Sequence, residues 1–174
     1  MQIDESTKVK IFFENAAKNL EFTDDRRNLL ISIAKKIKEE TLNSNTDTYL
    51  NFICTHNSRR SQLAQVWAYY AAHYFNLWNL KSYSGGTAVT AFFRNTVKTL
   101  QDAGFNFQVT EFDHQNPKYK ISFDDQHESL LGYSKLFNDN NNSNAYLAIT
   151  TRSSADENCP FIPEAIWMFH LPFN

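Results

Sequence analysis

The sequence predicts an α/β chain, an open parallel sheet with a helical extension ahead of it. Three observations carry that prediction. Tyr49-Leu50-Asn51-Phe52-Ile53 is a short strand-like run, and it precedes a helical pattern in which Leu63, Trp67, Tyr70 and Tyr74 recur at i, i+4, i+7 and i+11. A second strand, Asn79–Ser84, ends at Gly85-Gly86 and is followed by another helical pattern with Phe93, Val97 and Leu100 inward, opened by Thr90 and closed at Ala103-Gly104. Strand, helix, strand, helix at this spacing implies a right-handed parallel unit, whose ligands sit at the C-terminal ends of the strands.

Ahead of the first strand, residues 6 to 43 read as two helices. In the first, Val9, Phe12, Phe13, Ala16, Ala17 and Leu20 trace one apolar face, with Ser6 or Thr7 as cap. In the second, Thr23 is the cap and Asp24-Asp25 suit the positive end of the helix dipole. Leu29, Leu30, Ile33, Ala34 and Ile37 follow, and Lys35, Lys36 and Lys38 fall towards the C-terminal end. Such faces are too apolar for water, so the expectation is a helical hairpin packed on the α/β body. A polar link, Leu42–Asp47, then divides an extension at 1–47 from an α/β domain at 48–174.

Between the first strand and its helix lies Cys54-Thr55-His56-Asn57-Ser58-Arg59-Arg60-Ser61. A loop wedged there turns backbone N–H groups, and the unpaired donors of the helix start, onto one point. The same positive field favours the thiolate of Cys54, the nucleophilic form. Arg60 offers a planar fork of donors to two oxygens of a bound anion, and Ser61 can give the thiolate a hydroxyl hydrogen bond. The run Cys54 to Arg60 with Ser61 resembles the phosphate loop of the low-molecular-weight protein tyrosine phosphatase superfamily, which includes the thioredoxin-coupled arsenate reductases. By that resemblance Cys54 is the nucleophile, Arg60 the oxyanion clamp, Asn57 the residue that holds the loop in its strained shape, and Ser61 the partner of the thiolate. Thr55, His56, Asn57, Ser58 and Arg59 contribute the oxyanion-binding backbone. The resemblance covers the chain from about residue 48 onward and implies a flavodoxin-like open parallel sheet with the phosphate-binding loop after its first strand.

Downstream, Ser84-Gly85-Gly86-Thr87 resembles the superfamily's small polar stretch that lies against the loop, which gives Ser84 a supporting role there. Phe105–Val109, Tyr119–Phe123 and Leu130–Phe137 read as short strands, with Pro117 breaking the chain between the first two. An exposed Asn-rich loop, 138–144, leads to a central strand at Ala145–Thr150. The loop Ser154–Pro160 resembles the one that carries the redox cysteines of arsenate reductases. Its second thiol matches Cys159, while Arg152 stands where the first shuttle thiol would be. Ile166–Asn174 resembles the last strand, which in the superfamily precedes an Asp-Pro pair carrying the general acid; that acid is expected beyond Asn174. An apolar final strand also leaves the sheet short of its last covering helix. Asp124 and Asp156 read as surface carboxylates rather than substitute acids.

A net charge of −2 and a pI near 6.2 offer no basic excess for a nucleic-acid backbone. No apolar run reaches membrane-spanning length, the N-terminus is acidic rather than a signal peptide, and the expected location is the cytoplasm. Two cysteines suit a reducing compartment, and five scattered histidines show no metal-ligand spacing, so neither metal nor cofactor is expected. The leading expectation is phosphomonoester hydrolysis through a phosphocysteine. The alternatives are arsenate reduction with Cys159, or with an external or thioredoxin-like thiol, and a non-catalytic oxyanion-binding module. The partners expected are phosphate, a phosphoester or arsenate, with no nucleic acid and no membrane.

Overall fold

The computed structural model describes residues 5–44, 46–142, 145–152 and 162–173. Two helices lead, α1 (Glu5–Asn19) and α2 (Asp24–Asn43), followed by β1 (Thr48–Cys54), α3 (Arg60–Tyr74), β2 (Leu80–Gly86) and α4 (Arg94–Ala103). Then come β3 (Asn106–Glu111), β4 (Lys118–Ser122), β5 (Leu130–Gly132), β6 (Tyr146–Thr150) and β7 (Ala165–His170). The main sheet is parallel throughout, in the order β2-β1-β6-β7, and helices flank it: the architecture is α/β and flavodoxin-like.

Side chains alternate across a strand, and β1 is covered on both faces. Leu50 and Phe52 point one way, against Leu147 and Ile149 of β6, Ala64 and Ala68 of α3, and Leu29, Ile33 and Ile37 of α2. Ile53 points the other way, packing with Tyr146, Ala148 and Ile162. On the Leu50 face α2 covers β1 and β6, while Ile166, Trp167 and Met168 of β7 stay about half exposed. Arg26 of α2 donates to Pro172 O at 2.6 Å, and the Lys36 ammonium lies 5.0 Å from the Trp167 ring centroid on β7.

The helix α1 packs elsewhere. Val9 is wholly buried on the outer face of α3, with Val66 and Tyr70, Leu100 of α4, and Phe105, Ile121 and Phe123. Phe13 meets the rings of Tyr70 and Tyr74, and Tyr74 donates its hydroxyl to Glu14 at 2.9 Å. The two leading helices thus dock on different layers, one on the sheet and one on the helices above it.

Local expectations fared unevenly. Thr23 does cap α2, accepting from Arg26 N at 3.3 Å. Ser6 and Thr7 lie inside α1 rather than before it. Lys36 is mid-helix, because α2 continues to Asn43, and it pairs with Glu40 at 2.8 Å instead of the helix end. Thr90 does not open α4, which starts four residues later; its hydroxyl is used by the loop after β1. The predicted short strands form a separate antiparallel sheet, β3-β4-β5. Of Leu130–Phe137 only the first three residues are strand, and Leu136 then meets Gly86 at the edge of β2.

Candidate functional site

Chain order reverses beside β1: β2 lies on one side and β6 on the other, so a crevice opens at the C-terminal ends of these strands. Cys54 is the last residue of β1 and lies at that crevice. A pocket of about 350 Å³ opens there, lined by Cys54, His56, Ser58, Arg59, Arg60, Thr90 and Phe93. The structure thus gathers Cys54, His56, Ser58, Arg59 and Arg60 around one cavity, while Thr55 and Asn57 are not among its lining residues.

The wall is shaped by where the loop's carbonyls go. Thr55 O accepts from Thr87 N and Ala88 N, both at 2.9 Å. His56 O accepts from the hydroxyls of Thr90 and Ser134, both at 3.0 Å. Asn57 O accepts from Gln62 Nε2 at 3.1 Å, and Ser58 O from Phe93 N at 3.0 Å. Four consecutive carbonyls are anchored to surrounding segments. In a planar trans peptide the N–H points opposite to the C=O before it, so the amides of His56, Asn57, Ser58 and Arg59 are turned away from those anchors. Those N–H groups lie beside the N-terminus of α3, whose first amides have no partner within the helix.

Asn57 holds the loop from behind. Its φ of 44° is in the left-handed region, which asparagine tolerates better than most residues. It is fully buried, and its side chain is spent on both sides: Nδ2 donates to Ser61 Oγ at 2.9 Å, and Oδ1 accepts from Lys135 N at 2.8 Å and Gln62 Nε2 at 3.1 Å. Gln62 Nε2 also donates to Tyr133 O at 2.8 Å. Ser61 Oγ lies 3.0 Å from Cys54 Sγ. Since Asn57 Nδ2 can only donate, Ser61 Oγ is the acceptor there, and its own proton is free for the sulfur.

The small residues after β2 allow this approach. A Cβ on Gly86 would stand 2.8 Å from both Asn57 N and Thr55 O, so only glycine lets the loop close over the strand end. Ser84 does something different from the role expected of it. Its hydroxyl donates to Gln65 Oε1 on α3 at 2.6 Å, tying strand to helix rather than supporting the loop. Cys159 and Asp156 lie outside the described residues. Asp124 lies in the loop between β4 and β5, where it holds His127 Nδ1 at 2.7 Å.

Sequence reasoning missed the buttress. Tyr133, Ser134 and Lys135 deliver one backbone or side-chain contact each to Gln62, His56 and Asn57. Two polar residues, Ser134 and Lys135, inside an otherwise strand-like run were the available signal. Lys135 is only 3% exposed, and burial pushes its ammonium down to about 8, with Asp139 opposing the shift. Its cation lies 4.6 Å from the Tyr133 ring centroid. Phe93, expected to face inward from its helix, is instead the N-cap residue of α4 and 40% exposed; the Arg59 guanidinium lies over its ring at 5.6 Å, forming one side of the pocket.

Among the described residues no cluster of three or more His, Cys, Asp or Glu is arranged to hold a metal ion, and no helix is long and apolar enough to cross a membrane. No protein-family model matches the chain. An arsenate reductase of Bacillus licheniformis is 30% identical to it over 123 residues, which span 71% of this chain and 70% of the relative.

Proposed function

Because the chain belongs to the superfamily of low-molecular-weight protein tyrosine phosphatases and arsenate reductases, we propose that it is an enzyme whose Cys54–Arg60 loop binds a tetrahedral oxyanion, and that it hydrolyses phosphomonoesters. The observation that carries this reading is a cysteine sulfur 3.0 Å from a serine hydroxyl, at the foot of a loop whose four carbonyls are all anchored outward. In the first step the Cys54 thiolate attacks phosphorus, the bond to the leaving oxygen breaks, and that oxygen takes up a proton. Loop amides and the Arg60 guanidinium stabilise the equatorial oxygens. In the second step water attacks phosphorus and gives a proton to the group that protonated the leaving oxygen, the P–S bond breaks, and sulfur leaves as a thiolate that Ser61 stabilises. No carboxylate is among the described residues lining the pocket. The proton therefore comes from His56 or from a residue outside those described, and esters with good leaving groups are the favoured substrates.

A second reading rests on the relative's name. In arsenate reduction Cys54 would displace water from As(V). A thiol would then attack Cys54 Sγ, forming a disulfide while arsenic departs with the bonding pair as As(III). That thiol would be Cys159 or an external, thioredoxin-like donor. Arg152 favours hydrolysis between the two, since a guanidinium stands where the first shuttle thiol is expected, and hydrolysis needs no such thiol.

The test is p-nitrophenyl phosphate and arsenate assayed side by side, with Cys54→Ser as control. Turnover of the ester that is abolished in the variant supports the hydrolase. Thiol-dependent arsenite release without ester turnover would overturn it in favour of the reductase, and inertness to both, with phosphate still bound, in favour of an oxyanion-binding module.

A further inference from the structure

Arg152 has a place in the fold that the chemistry above does not use. It follows Thr151, whose N–H and hydroxyl both donate to Ile53 O, at 2.7 and 3.2 Å. The β6 side of the crevice therefore stays fastened to β1 right up to the residue before Cys54. From that point the Arg152 side chain, 7% exposed, places Nη2 at 3.0 Å from Thr87 Oγ1. Thr87 lies just past β2, on the opposite side of β1. The guanidinium thus spans the C-terminal edge of β1, from one neighbouring strand to the other.

Thr87 passes the contact on. A guanidinium has no acceptor, so Thr87 Oγ1 accepts from it and keeps its single proton to donate. That proton faces Thr55 O at 3.3 Å, the same carbonyl that takes Thr87 N and Ala88 N. Hydrogen bonds in series, with a charged donor at the head, polarise and strengthen one another. The end of the series is the first carbonyl of the loop, and the His56 N–H lies in the same peptide plane, pointing the other way.

We infer that Arg152 is a positioning residue for the phosphate loop, acting through the Thr87 hydroxyl to fix the Thr55–His56 peptide and so aim the His56 N–H at an equatorial oxygen of the bound anion. The inference rests on the reading of this loop as an oxyanion site. It assigns the residue at the position of the missing shuttle thiol a use that a thiol could not serve, since a cysteine neither spans the gap nor carries a cation. An aimed donor is worth most where charge and geometry are those of the transition state, a trigonal bipyramid, and less in the tetrahedral ground state. A residue with a purely structural role would weaken both alike.

The test uses vanadate, which is bound as a five-coordinate mimic, and inorganic phosphate, each measured by protection of Cys54 from iodoacetamide in the full chain. No turnover is required. Arg152→Met is expected to weaken vanadate protection about tenfold, the scale of one charge-assisted hydrogen bond, and phosphate protection by no more than about twofold. Thr87→Val is expected to reproduce that selective loss, Thr87→Ser to restore wild-type behaviour, and the Arg152→Met/Thr87→Val double variant to be no worse than the poorer single variant. Equal weakening of both anions, additive losses, or a harmless Thr87→Val would overturn the positioning role while leaving the oxyanion site standing. If neither anion protects Cys54 in the wild-type protein, the oxyanion reading fails and this inference falls with it.

Discussion

Replacing Asn57 separates backbone strain from side-chain anchoring at the point where the loop depends on both. Asn57→Ala removes three hydrogen bonds within a fully buried site. The damage is uneven. Gln62 Nε2 keeps Asn57 O and Tyr133 O as acceptors, so it loses little. The Lys135 N–H loses the partner it has at 2.8 Å, and an orphaned buried donor costs about 1–3 kcal/mol. Losing the bond to Ser61 adds about 1 kcal/mol, for a total of about 3 kcal/mol. Alanine also keeps the cost of a φ of 44°, which glycine does not pay. Asn57→Gly should therefore be less destabilised than Asn57→Ala by about 0.5–1 kcal/mol, even after glycine's greater freedom in the unfolded chain is counted. Urea unfolding at pH 7 with a common slope measures all three proteins. The reasoning is refuted if the alanine variant loses less than about 1 kcal/mol, or if glycine proves the more damaging of the two.

Two further predictions come from the residues on either side of Asn57. Ser61→Ala removes the proton donor to sulfur, and turnover of p-nitrophenyl phosphate should fall about tenfold or more, with iodoacetamide alkylation of Cys54 slowed in parallel; unchanged alkylation would detach Ser61 from the thiolate. Lys135 makes a prediction about pH. Its folded value, about 8, lies below its ordinary 10.5, so the unfolded chain binds the proton more tightly between those values. The penalty for burying the cation is present in full at pH 7 and is relieved as pH rises through 8. This group then adds stability, on the order of 3 kcal/mol at most, up to about pH 10, where tyrosine ionisation in the unfolded chain opposes it. Lys135→Met should flatten that rise and stabilise the protein at neutral pH. A wild type that only loses stability from pH 8 to 10 would contradict the burial of the ammonium.

The loop was legible because its chemistry is local. The sulfur of Cys54, its hydroxyl partner Ser61, Arg60 and Asn57 all fall in one short run, and strand before and helix after are enough to place them. The buttress was illegible for the opposite reason: Ser134 reaches His56, and Lys135 reaches Asn57, across 78 residues each. Ser134 and Lys135 passed as part of the strand expected at 130–137, whereas the hydroxyl of the one and the backbone N–H of the other are committed to the loop. Ser84 was misplaced by a simpler oversight. Residues two apart share a face of a strand, and Ser82 and Ser84 both bond Gln65, so β2 turns its hydroxyls to α3. It is Gly86, at the strand's last position, that meets the loop. The covering of the sheet by α2 could not be read at all, because an apolar helix face does not state which part of a chain it will cover.

What distinguishes a hydrolase from a reductase on this scaffold is not the cup. Phosphate and arsenate are tetrahedral anions of the same charge, and a ring of amides with a guanidinium holds either one. Both chemistries also begin with the same thiolate attack. They part at the second nucleophile: water directed at phosphorus, or a thiol directed at the sulfur of Cys54. That choice is made by whatever stands within reach of the sulfur after the first step. On the β6 side of the crevice Arg152 is a buried side chain fastened to Thr87, and a guanidinium cannot attack sulfur. The pocket that a second nucleophile would enter is lined by Arg59 and Arg60. The proposed hydrolysis needs only water at that second step, so an arginine in the place of the first shuttle thiol is compatible with it.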